Sequence, residues 1–296
     1  MATVEDVVRG ATQRLRAAGS DSPLLDAQVL LSGVLGIDRT GLIAYPEATV
    51  GDGSLVEFDD LVTRREAGEP VAYLRGFREF MGFAFAADAR ALIPRPETER
   101  LVELAETEIA RRLLSAPRAA GARPIRVVDV GTGSGAIAIA LALRLQARRM
   151  LGEIDLLATD DTAATLDLAK ENAVGHALGD RIRFAEADLI PGSETAFDLV
   201  LANLPYVPTD AIDHLEPTLG FEPRHALDGG PDGLDVIRRL VELLPEVLAQ
   251  RGVAFLEIGF GQGTATASAV AELPGGWTCA VEPDLAGVPR VARIER

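Results

Sequence analysis

The chain has 296 residues, of which 48% are hydrophobic and 25% are charged, and its formal net charge is −16. The length predicts a full catalytic domain with a smaller second domain, and the negative charge argues against a bare nucleic-acid substrate, because phosphate binding normally needs a basic face. Cys279 is the only cysteine, which excludes an intramolecular disulfide, and the three scattered histidines lack the spacing of metal ligands, so we expect no metal site.

No apolar run in the sequence approaches the length of about 20 residues that crosses a bilayer. The N-terminal segment contains Glu5 and Asp6, whereas a secretory signal has a basic region followed by an apolar one. We therefore expect a cytoplasmic protein without membrane contact.

Apolar residues with helical spacing dominate the first 75 residues. The pattern i, i+3, i+4 appears first in Val4, Val7, Val8, Ala11 and Leu15. A second helical stretch begins at Ser22-Pro23 and ends near Gly36, and a third is predicted over residues 54–67, before Gly68 and Pro70. Residues 1–75 are therefore predicted to form a small all-helical N-terminal domain.

The next segment, residues 76–97, is predicted to be a hairpin or an extended linker, because aromatic residues and glycine alternate between Phe77 and Phe85. Pro94 and Pro96 stiffen the chain before a helix that begins near Thr98. Residues 98–296 are assigned to the larger domain.

Short apolar runs alternate with helical stretches after Pro124, which is typical of a parallel sheet covered by helices on both faces. The pattern predicts an α/β domain with a doubly wound, Rossmann-like sheet of seven strands. The predicted strands are residues 125–130, 154–158, 182–185, 197–202, 253–258, 277–281 and 288–294.

A glycine-rich turn follows the first of these strands, in the sequence Val127-Val128-Asp129-Val130-Gly131-Thr132-Gly133-Ser134-Gly135. Glycine permits positive φ and lets the backbone approach a ligand beside a helix N-terminus. Any tight turn between a strand and a helix also favours glycine, so the loop alone is a weak signal. The spacing differs from the Gly-x-Gly-x-x-Gly of dinucleotide enzymes, although Ala136 occupies the last position, and it favours an adenosyl ligand without phosphates.

Two carboxylates follow the next strands. Asp160 ends the second strand, where it could accept both hydroxyls of a ribose. Asp188 follows the third strand, where it could bind the amino group of adenine or could equally be a solvated carboxylate at a strand end.

The segment Asn203-Leu204-Pro205-Tyr206 follows the fourth strand. An amide nitrogen is a poor nucleophile because its lone pair is delocalised into the carbonyl, so a site must orient it. The Asn203 side-chain oxygen and the Leu204 carbonyl could accept the two hydrogens of an amide, and Tyr206 could stack on its plane. This arrangement predicts methylation of a planar nitrogen without a strong base.

At this point the sequence resembles the PrmC/HemK family of protein-(glutamine N5) methyltransferases along nearly its whole length. Besides the loop, Asp160 and the segment 203–206, the resemblance is carried by longer segments that are absent from methyltransferases in general. These are Arg64-Arg65 with Gly68-Glu69-Pro70, Tyr73-Leu74-x-Gly76-x-Arg78-Glu79-Phe80, Leu92-Ile93-Pro94-Arg95-Pro96-Glu97-Thr98-Glu99, and Phe221-Glu222-Pro223-x-x-Ala226-Leu227-x-Gly229-Gly230-x-Asp232-Gly233-Leu234.

The resemblance implies a class I methyltransferase domain that uses S-adenosyl-L-methionine to methylate the glutamine in the Gly-Gly-Gln loop of peptide chain release factors. It also implies that the N-terminal domain docks this protein substrate, with no direct contact to nucleic acid. The predicted cofactor-binding residues are Gly131, Thr132, Gly133, Ser134, Gly135, Asp160, Asp188, Leu189 and Asn203. The predicted glutamine-binding residues are Asn203, Leu204, Pro205 and Tyr206, with Asn203, Pro205 and Tyr206 catalytic.

Leu204 departs from the family, which usually has Asn-Pro-Pro-Tyr here. Its expected role belongs to the backbone carbonyl, which leucine retains, and Pro205 still biases Leu204 toward an extended backbone. Asn-Leu-Pro-Tyr also resembles ribosomal RNA adenine dimethyltransferases, so the alternative function is adenine N6 methylation of RNA or DNA. A third hypothesis is a binding protein that keeps the cofactor fold but has lost catalysis. The acidic charge and the long family segments favour the glutamine substrate.

Overall fold

The computed structural model describes residues 2–115, 122–284 and 286–296, which fall into two units. Met1–Phe77 with Glu216–Phe221 form the first unit, and Arg78–Leu215 with Glu222–Arg296 form the second. The sequence does not anticipate that Glu216–Phe221 belongs with the N-terminal helices. Most of the predicted linker, from residue 78 onward, lies in the second unit.

The first unit is built from short and medium-length helices. They are α1 (Val4–Ala17), α2 (Pro23–Leu35), α3 (Arg39–Ala44), α4 (Asp52–Glu66) and α5 (Val71–Arg75). The Thr3 hydroxyl accepts the Asp6 N–H at 3.2 Å and caps α1, and α2 ends at Gly36, whose φ of 65° suits glycine. The helices α3 and α5 were not predicted, because one or two turns are too short to show an apolar repeat.

A buried ion pair connects α2 to α4 within this unit. The Arg65 guanidinium donates to the Asp26 carboxylate at 2.8 Å, and the Ser20 and Ser22 hydroxyls donate to the same carboxylate at 2.8 and 2.7 Å. Because the buried carboxylate is hydrogen-bonded from several sides, the charge is well compensated. Arg65, one of the residues that carry the family resemblance, therefore stabilises the packing of these helices.

A tight hairpin follows the N-terminal helices. Its strands are β1 (Phe77–Phe80) and β2 (Phe83–Ala86), and both residues between them have positive φ, 52° at Met81 and 79° at Gly82. Two consecutive positive φ values give the type I′ turn that matches the twist of a hairpin. The rings of Phe80 and Phe85 are buried and pack edge to face, with their centroids 6.1 Å apart. The predicted hairpin is thus present.

The large unit is centred on a sheet of seven strands with the order β5-β4-β3-β6-β7-β9-β8. The strands are β3 (Ile125–Val130), β4 (Ile154–Asp160), β5 (Ile182–Glu186), β6 (Phe197–Ala202), β7 (Leu248–Glu257), β8 (Thr278–Pro283) and β9 (Pro289–Glu295). The helices are α6 (Glu99–Leu114), α7 (Ala136–Ala147), α8 (Ala163–Gly175), α9 (Asp235–Val247) and α10 (Gly263–Ala271). All seven predicted strands are confirmed.

The sheet is parallel, as predicted, except at one edge. The strands β3 to β7 pair in parallel, whereas β9 pairs antiparallel with both β7 and β8. The cause is a tight turn in which the Asp284 carboxylate accepts the N–H groups of Ala286 and Val288, each at 2.9 Å. Parallel neighbours need a crossover of about a dozen residues, so a turn this short reverses the chain.

Both faces of the central strand are buried. Val127 belongs to a core that includes side chains of α6 and α7, and Val128 belongs to a second core that includes side chains of α9. Successive strand residues point to opposite faces, so this division places helices on both sides of the sheet. The carboxyl ends of β3, β4 and β6 are left at one common edge.

Candidate active site

A cavity of about 170 Å³, which opens to solvent, lies at this edge of the sheet. The strand order reverses at β3, which has β4 on one side and β6 on the other. Open α/β sheets bind ligands at such a reversal. The predicted site residues that line the cavity are Gly131, Thr132, Gly133, Ser134, Asp160, Asp188, Leu189, Asn203, Leu204 and Pro205. Gly135 and Tyr206 are absent from its lining.

The loop after β3 has a backbone that requires glycine. The φ values are 67° at Gly131, 57° at Gly133 and 81° at Gly135. A Cβ at Gly135 would lie 3.3 Å from the Cβ of Ala169 on α8, so this glycine permits close helix packing. A Cβ at Gly131 would lie 2.9 Å from Leu204 Cδ2. At Gly133 a Cβ would meet no atom within 4 Å, which leaves space for a ligand.

Asp129, on β3, forms hydrogen bonds with this loop and with the first turn of α7. Its side chain is fully buried, and Oδ2 accepts the Thr132 hydroxyl at 2.6 Å and the Ala138 N–H at 3.2 Å. Burial raises the pKa of Asp129 to about 7, although both hydrogen bonds oppose the shift. Within the described residues, Oδ1 of Asp129 has no hydrogen-bond partner. Asp129 belongs to the loop motif, but the sequence pattern predicts no role for its side chain.

Asp160 lies at the end of β4, as predicted, and reaches the glycine loop. Its Oδ2 accepts the Gly133 N–H at 3.0 Å, and only 8% of the residue is exposed. Burial raises the pKa of Asp160, and the hydrogen bond from Gly133 opposes this shift. The second oxygen, Oδ1, accepts the Thr162 N–H at 3.4 Å and keeps a further lone pair for a polar ligand at the wall of the cavity.

Asp188 and Leu189 follow β5, which ends at Glu186, one residue beyond the predicted strand. The Asp188 carboxylate is largely exposed and forms an ion pair with Arg239 of α9. Leu189 is buried with a φ of 66°, and its carbonyl accepts the hydroxyl of the buried Thr159 at 2.6 Å. The strained backbone at Leu189 is therefore anchored to β4, whereas the Asp188 side chain already has a partner.

Asn203, Leu204 and Pro205 line the cavity directly after β6. The Asn203 Nδ2 donates to the Thr98 hydroxyl at 3.0 Å. This contact assigns the amide nitrogen to the protein and leaves Oδ1 as the acceptor for a ligand. The Leu204 side chain is buried, and its Cδ2 packs against Gly131.

The family segment that ends at Leu234 holds this loop in place. The Val207 N–H donates to the Leu227 carbonyl and the Gly229 N–H donates to the Val207 carbonyl, both at 2.9 Å. A Cβ at Gly229 would lie 2.7 Å from the Pro205 carbonyl oxygen, and one at Gly233 would overlap the Tyr206 carbonyl. The glycines are therefore required for close contact between the two segments.

Tyr206 is absent from the lining of the cavity, and its hydroxyl lies near the end of β7. Its hydroxyl lies 3.5 Å from Glu257 Oε1, and burial raises the pKa of Tyr206 to about 12. Gln262 Nε2 donates to the Tyr206 carbonyl at 2.9 Å, and Gln262 Oε1 accepts the Gly259 N–H at 2.7 Å. These contacts connect Tyr206 to β7 and to Gln262, and stacking of its ring on a substrate amide stays a prediction.

Glu222 connects the family segment at residues 221–234 to the family segment at residues 92–99. Its Oε2 accepts the Ile93 N–H at 2.9 Å and its Oε1 accepts the Arg95 guanidinium at 2.5 Å, while its own side chain is only 2% exposed. The chain between the hairpin and α6 is thereby held against the mouth of the cavity, where Leu92, Pro94 and Arg95 form part of the lining.

Thr98, Glu222 and Glu257 were not predicted as site residues from the sequence. Thr98 and Glu222 lie within quoted family segments, which was an available signal. Glu257 is the only charged residue in an otherwise apolar strand end, Val253-Ala254-Phe255-Leu256-Glu257-Ile258, and a lone buried charge of this kind indicates a specific partner.

Comparison with known proteins identifies the family. The PrmC N-terminal domain matches residues 6–76, and the methyltransferase small domain matches residues 110–215. The release factor glutamine methyltransferase of Deinococcus radiodurans is 36% identical over 294 residues, which cover 99% of this chain and 98% of the relative. That of Vibrio cholerae is 37% identical over 290 residues, which cover 98% and 95%. This chain belongs to the release factor glutamine methyltransferase family.

Solved structures agree on the fold. The catalytic domain of hMettl16 in complex with MAT2A 3'UTR hairpin 6 matches with a TM-score of 0.53 and 16% sequence identity, covering 82% of this chain and 81% of that chain. At this identity the likeness concerns the fold alone, which is the α/β fold of methyltransferases. No helix within residues 2–115, 122–284 and 286–296 is both long enough and apolar enough to cross a membrane.

The donor set of the cavity fits the adenosyl cofactor of this methyltransferase family better than a phosphate. Each arginine that lines the cavity already has a carboxylate partner: Arg90 pairs with Asp88 and Glu171, Arg95 with Glu222, and Arg239 with Asp188. No lining arginine among the described residues therefore remains without an anion. The Asp160 carboxylate and the open space at Gly133 instead suit a neutral ribose and an uncharged base.

Proposed function

We propose that this protein transfers a methyl group from S-adenosyl-L-methionine to the side-chain amide nitrogen, N5, of the glutamine in the Gly-Gly-Gln motif of peptide chain release factors. Full-length similarity to release factor glutamine methyltransferases supports the reaction. The structural observation that best supports this reaction is the hydrogen bond of 3.0 Å from Asn203 Nδ2 to the Thr98 hydroxyl. It leaves the side-chain oxygen of Asn203 at the cavity as an acceptor.

The chemistry follows from the needs of an amide nucleophile. When bound, the cofactor supplies a methyl group activated by a positively charged sulfur. Asn203 Oδ1 and the Leu204 carbonyl accept the two hydrogens of the substrate amide, which holds its nitrogen in one orientation. The alkylated nitrogen becomes strongly acidic and loses its proton readily, so positioning does most of the catalytic work and no strong base is required.

The cofactor residues in this proposal are those that line the cavity around the glycine loop. Asp160 accepts the ribose hydroxyls, since one of its oxygens already binds Gly133 and so fixes the carboxylate. The stretch from Gly131 to Ser134 and the Leu189 backbone surround the rest of the ligand. Asp188 has the weakest support of the predicted set, because its carboxylate already pairs with Arg239. Pro205 and Tyr206 shape the loop that presents Asn203.

A release-factor partner and a cytoplasmic location are part of this proposal, as is docking of the partner by the N-terminal unit. The names of the relatives support the partner. The paired arginines of the cavity support a substrate without a phosphate backbone, as does the net charge of −16.

Radiolabelled methyl transfer tests this function directly. The purified protein is assayed against a release factor, the same release factor with Gln→Ala in its Gly-Gly-Gln loop, and ribosomal RNA. We expect label on the first substrate only. Label that persists on the Gln→Ala protein, or that appears on RNA alone, would exclude glutamine as the acceptor and favour the adenine alternative.

A further inference from the structure

A buried asparagine of α8 contacts the glycine loop of the cavity. Asn172 is 5% exposed, and its Nδ2 donates to the Ser134 carbonyl at 2.9 Å. The same Nδ2 donates to the Ala86 carbonyl at 3.2 Å, and Oδ1 accepts the Ala86 N–H at 2.7 Å. One side chain therefore binds both the loop that lines the cavity and the last residue of the hairpin strand β2.

The orientation of the Asn172 amide is determined by the backbone groups that it contacts. The Ala86 N–H can only donate, so it requires Oδ1. The Ala86 and Ser134 carbonyls can only accept, so each of them requires one of the two hydrogens on Nδ2. Both hydrogens of the amide are thus in use. Aspartate has the same shape but, when ionised, offers no hydrogen to either carbonyl.

The peptide between Ser134 and Gly135 is held at both ends. Its carbonyl accepts from Asn172, and its N–H donates to the Thr132 carbonyl at 2.9 Å. Glycine has more accessible backbone conformations than any other residue, and φ is positive at Gly133 and at Gly135. Without the contact to Asn172 this peptide could rotate, and the loop would have to be ordered again when a ligand binds, at a cost in affinity.

The helix α8 also holds a second part of the cavity wall, the segment that follows the hairpin. The Thr165 hydroxyl donates to the Arg90 carbonyl at 2.7 Å, and the Arg90 guanidinium pairs with Glu171 at 2.7 Å. Both Arg90 and Thr165 line the cavity. The glycine loop and the segment after the hairpin are therefore attached to one helix, and Asn172 hydrogen-bonds to the loop and to the start of that segment at Ala86.

We propose that Asn172 is a positioning residue for the cofactor, which holds the Ser134 carbonyl so that the glycine loop has its ligand-binding conformation before S-adenosyl-L-methionine binds. This inference rests on the cofactor-binding role proposed above for residues 131–134. Asn172 is absent from the lining of the cavity, so it acts on affinity through the loop. Because Asn203 and Leu204 are unaffected, loss of Asn172 weakens cofactor binding and spares the methyl-transfer step.

Two substitutions at Asn172 test this role. Asn172→Asp keeps the shape of the side chain and the acceptor for the Ala86 N–H, whereas Asn172→Ala removes all three hydrogen bonds without adding a charge. We expect both to raise the dissociation constant of S-adenosylhomocysteine, measured by calorimetry, and the KM for S-adenosyl-L-methionine by about tenfold or more. The value of kcat at saturating cofactor should stay within about threefold of the parent. If the charged variant does not fold, Asn172→Ala decides.

The matched control is His176→Ala, which removes a different contact with the same hairpin. His176 directly follows α8, and its Nε2 lies 2.8 Å from the Ala84 carbonyl oxygen. Its ring also contacts the rings of Phe83 and Phe85. None of these contacts involves the glycine loop. We expect His176→Ala to lower the melting temperature but to keep the dissociation constant of S-adenosylhomocysteine within about twofold of the parent.

The outcomes separate positioning from packing. If the folded Asn172 variants melt earlier but keep the parental dissociation constant, or if His176→Ala weakens binding as much as they do, the positioning role is overturned. A loss in kcat with an unchanged KM would also contradict it. The titration does not involve a release factor. A parent that binds S-adenosylhomocysteine but does not label the Gly-Gly-Gln glutamine therefore refutes the proposed function alone, whereas a parent that does not bind it refutes both.

Discussion

Replacing Asp129 with asparagine is expected to stabilise the protein at pH 8 far more than at pH 5. Asp129 is fully buried, and its pKa in the folded protein is raised to about 7 from an ordinary value of 3.8. The folded state thus holds a proton that the unfolded chain has already released. The stability that this group provides is complete below pH 3.8 and is lost as the pH rises through about 7.

The size of the change in unfolding free energy follows from the difference between the folded and unfolded pKa values of Asp129. A difference of about 3 pKa units corresponds to about 4 kcal/mol, of which about 2 to 3 kcal/mol develops between pH 5 and pH 8. Asp129→Asn removes this titration and retains an oxygen that can accept from Thr132 and Ala138. Glu257, with a pKa also raised to about 7, is present in both proteins and cancels in the comparison.

The assay is urea unfolding followed by far-ultraviolet circular dichroism at pH 5, 6, 7 and 8. The matched control is Asp228→Asn, which makes the same change in net charge. The Thr209 hydroxyl and the Gly230 N–H lower the pKa of Asp228, so its contribution is constant above pH 5 and the control should differ from the parent by the same amount at every pH. If the difference in unfolding free energy between Asp129→Asn and the parent is also the same at every pH, the argument that burial raises the pKa of Asp129 is refuted.

Three further predictions concern the site. Asn203→Ala should lower kcat by about 100- to 1000-fold, or about 2.7 to 4 kcal/mol, with cofactor affinity measured by calorimetry unchanged, and near-parental turnover would exclude its role. Asp160→Ala should weaken S-adenosylhomocysteine binding by about tenfold or more, because a charged hydrogen bond contributes about 1.5 to 3 kcal/mol; an equal dissociation constant would remove Asp160 from the site. Leu204→Pro should keep turnover within about threefold, because proline retains the backbone carbonyl proposed to accept the substrate amide, and Pro205 already favours an extended backbone at position 204. Its stability should change little, because the loss of a buried contact with Gly131, about 1 kcal/mol, is offset by about 0.4 to 1 kcal/mol from a stiffer unfolded chain. A tenfold loss of turnover would show that the leucine side chain itself acts in catalysis.

The sequence determined the elements of the large unit and the edge at which the site lies. Buried strands give continuous apolar runs, and glycine loops and polar residues that follow such runs collect at the carboxyl edge of a parallel sheet. For this reason Gly133, Asp160 and Asn203 could be placed together without coordinates. The antiparallel edge could not be predicted, because an apolar run has no direction, and the short helices α3 and α5 carry too few residues to show a period.

Only the tertiary structure decided how the site residues are oriented. Gly135 occupies the same motif as Gly133 but packs against Ala169, and Tyr206 follows Asn203 by three residues yet turns toward Glu257. Hydrogen bonds between residues about a hundred positions apart, such as Asn203 to Thr98, depend on which strands and helices become neighbours, and no local pattern encodes that. The sequence could therefore name Asn203 as the residue proposed to bind the substrate amide, whereas only the fold determined that its side-chain nitrogen is bound to Thr98.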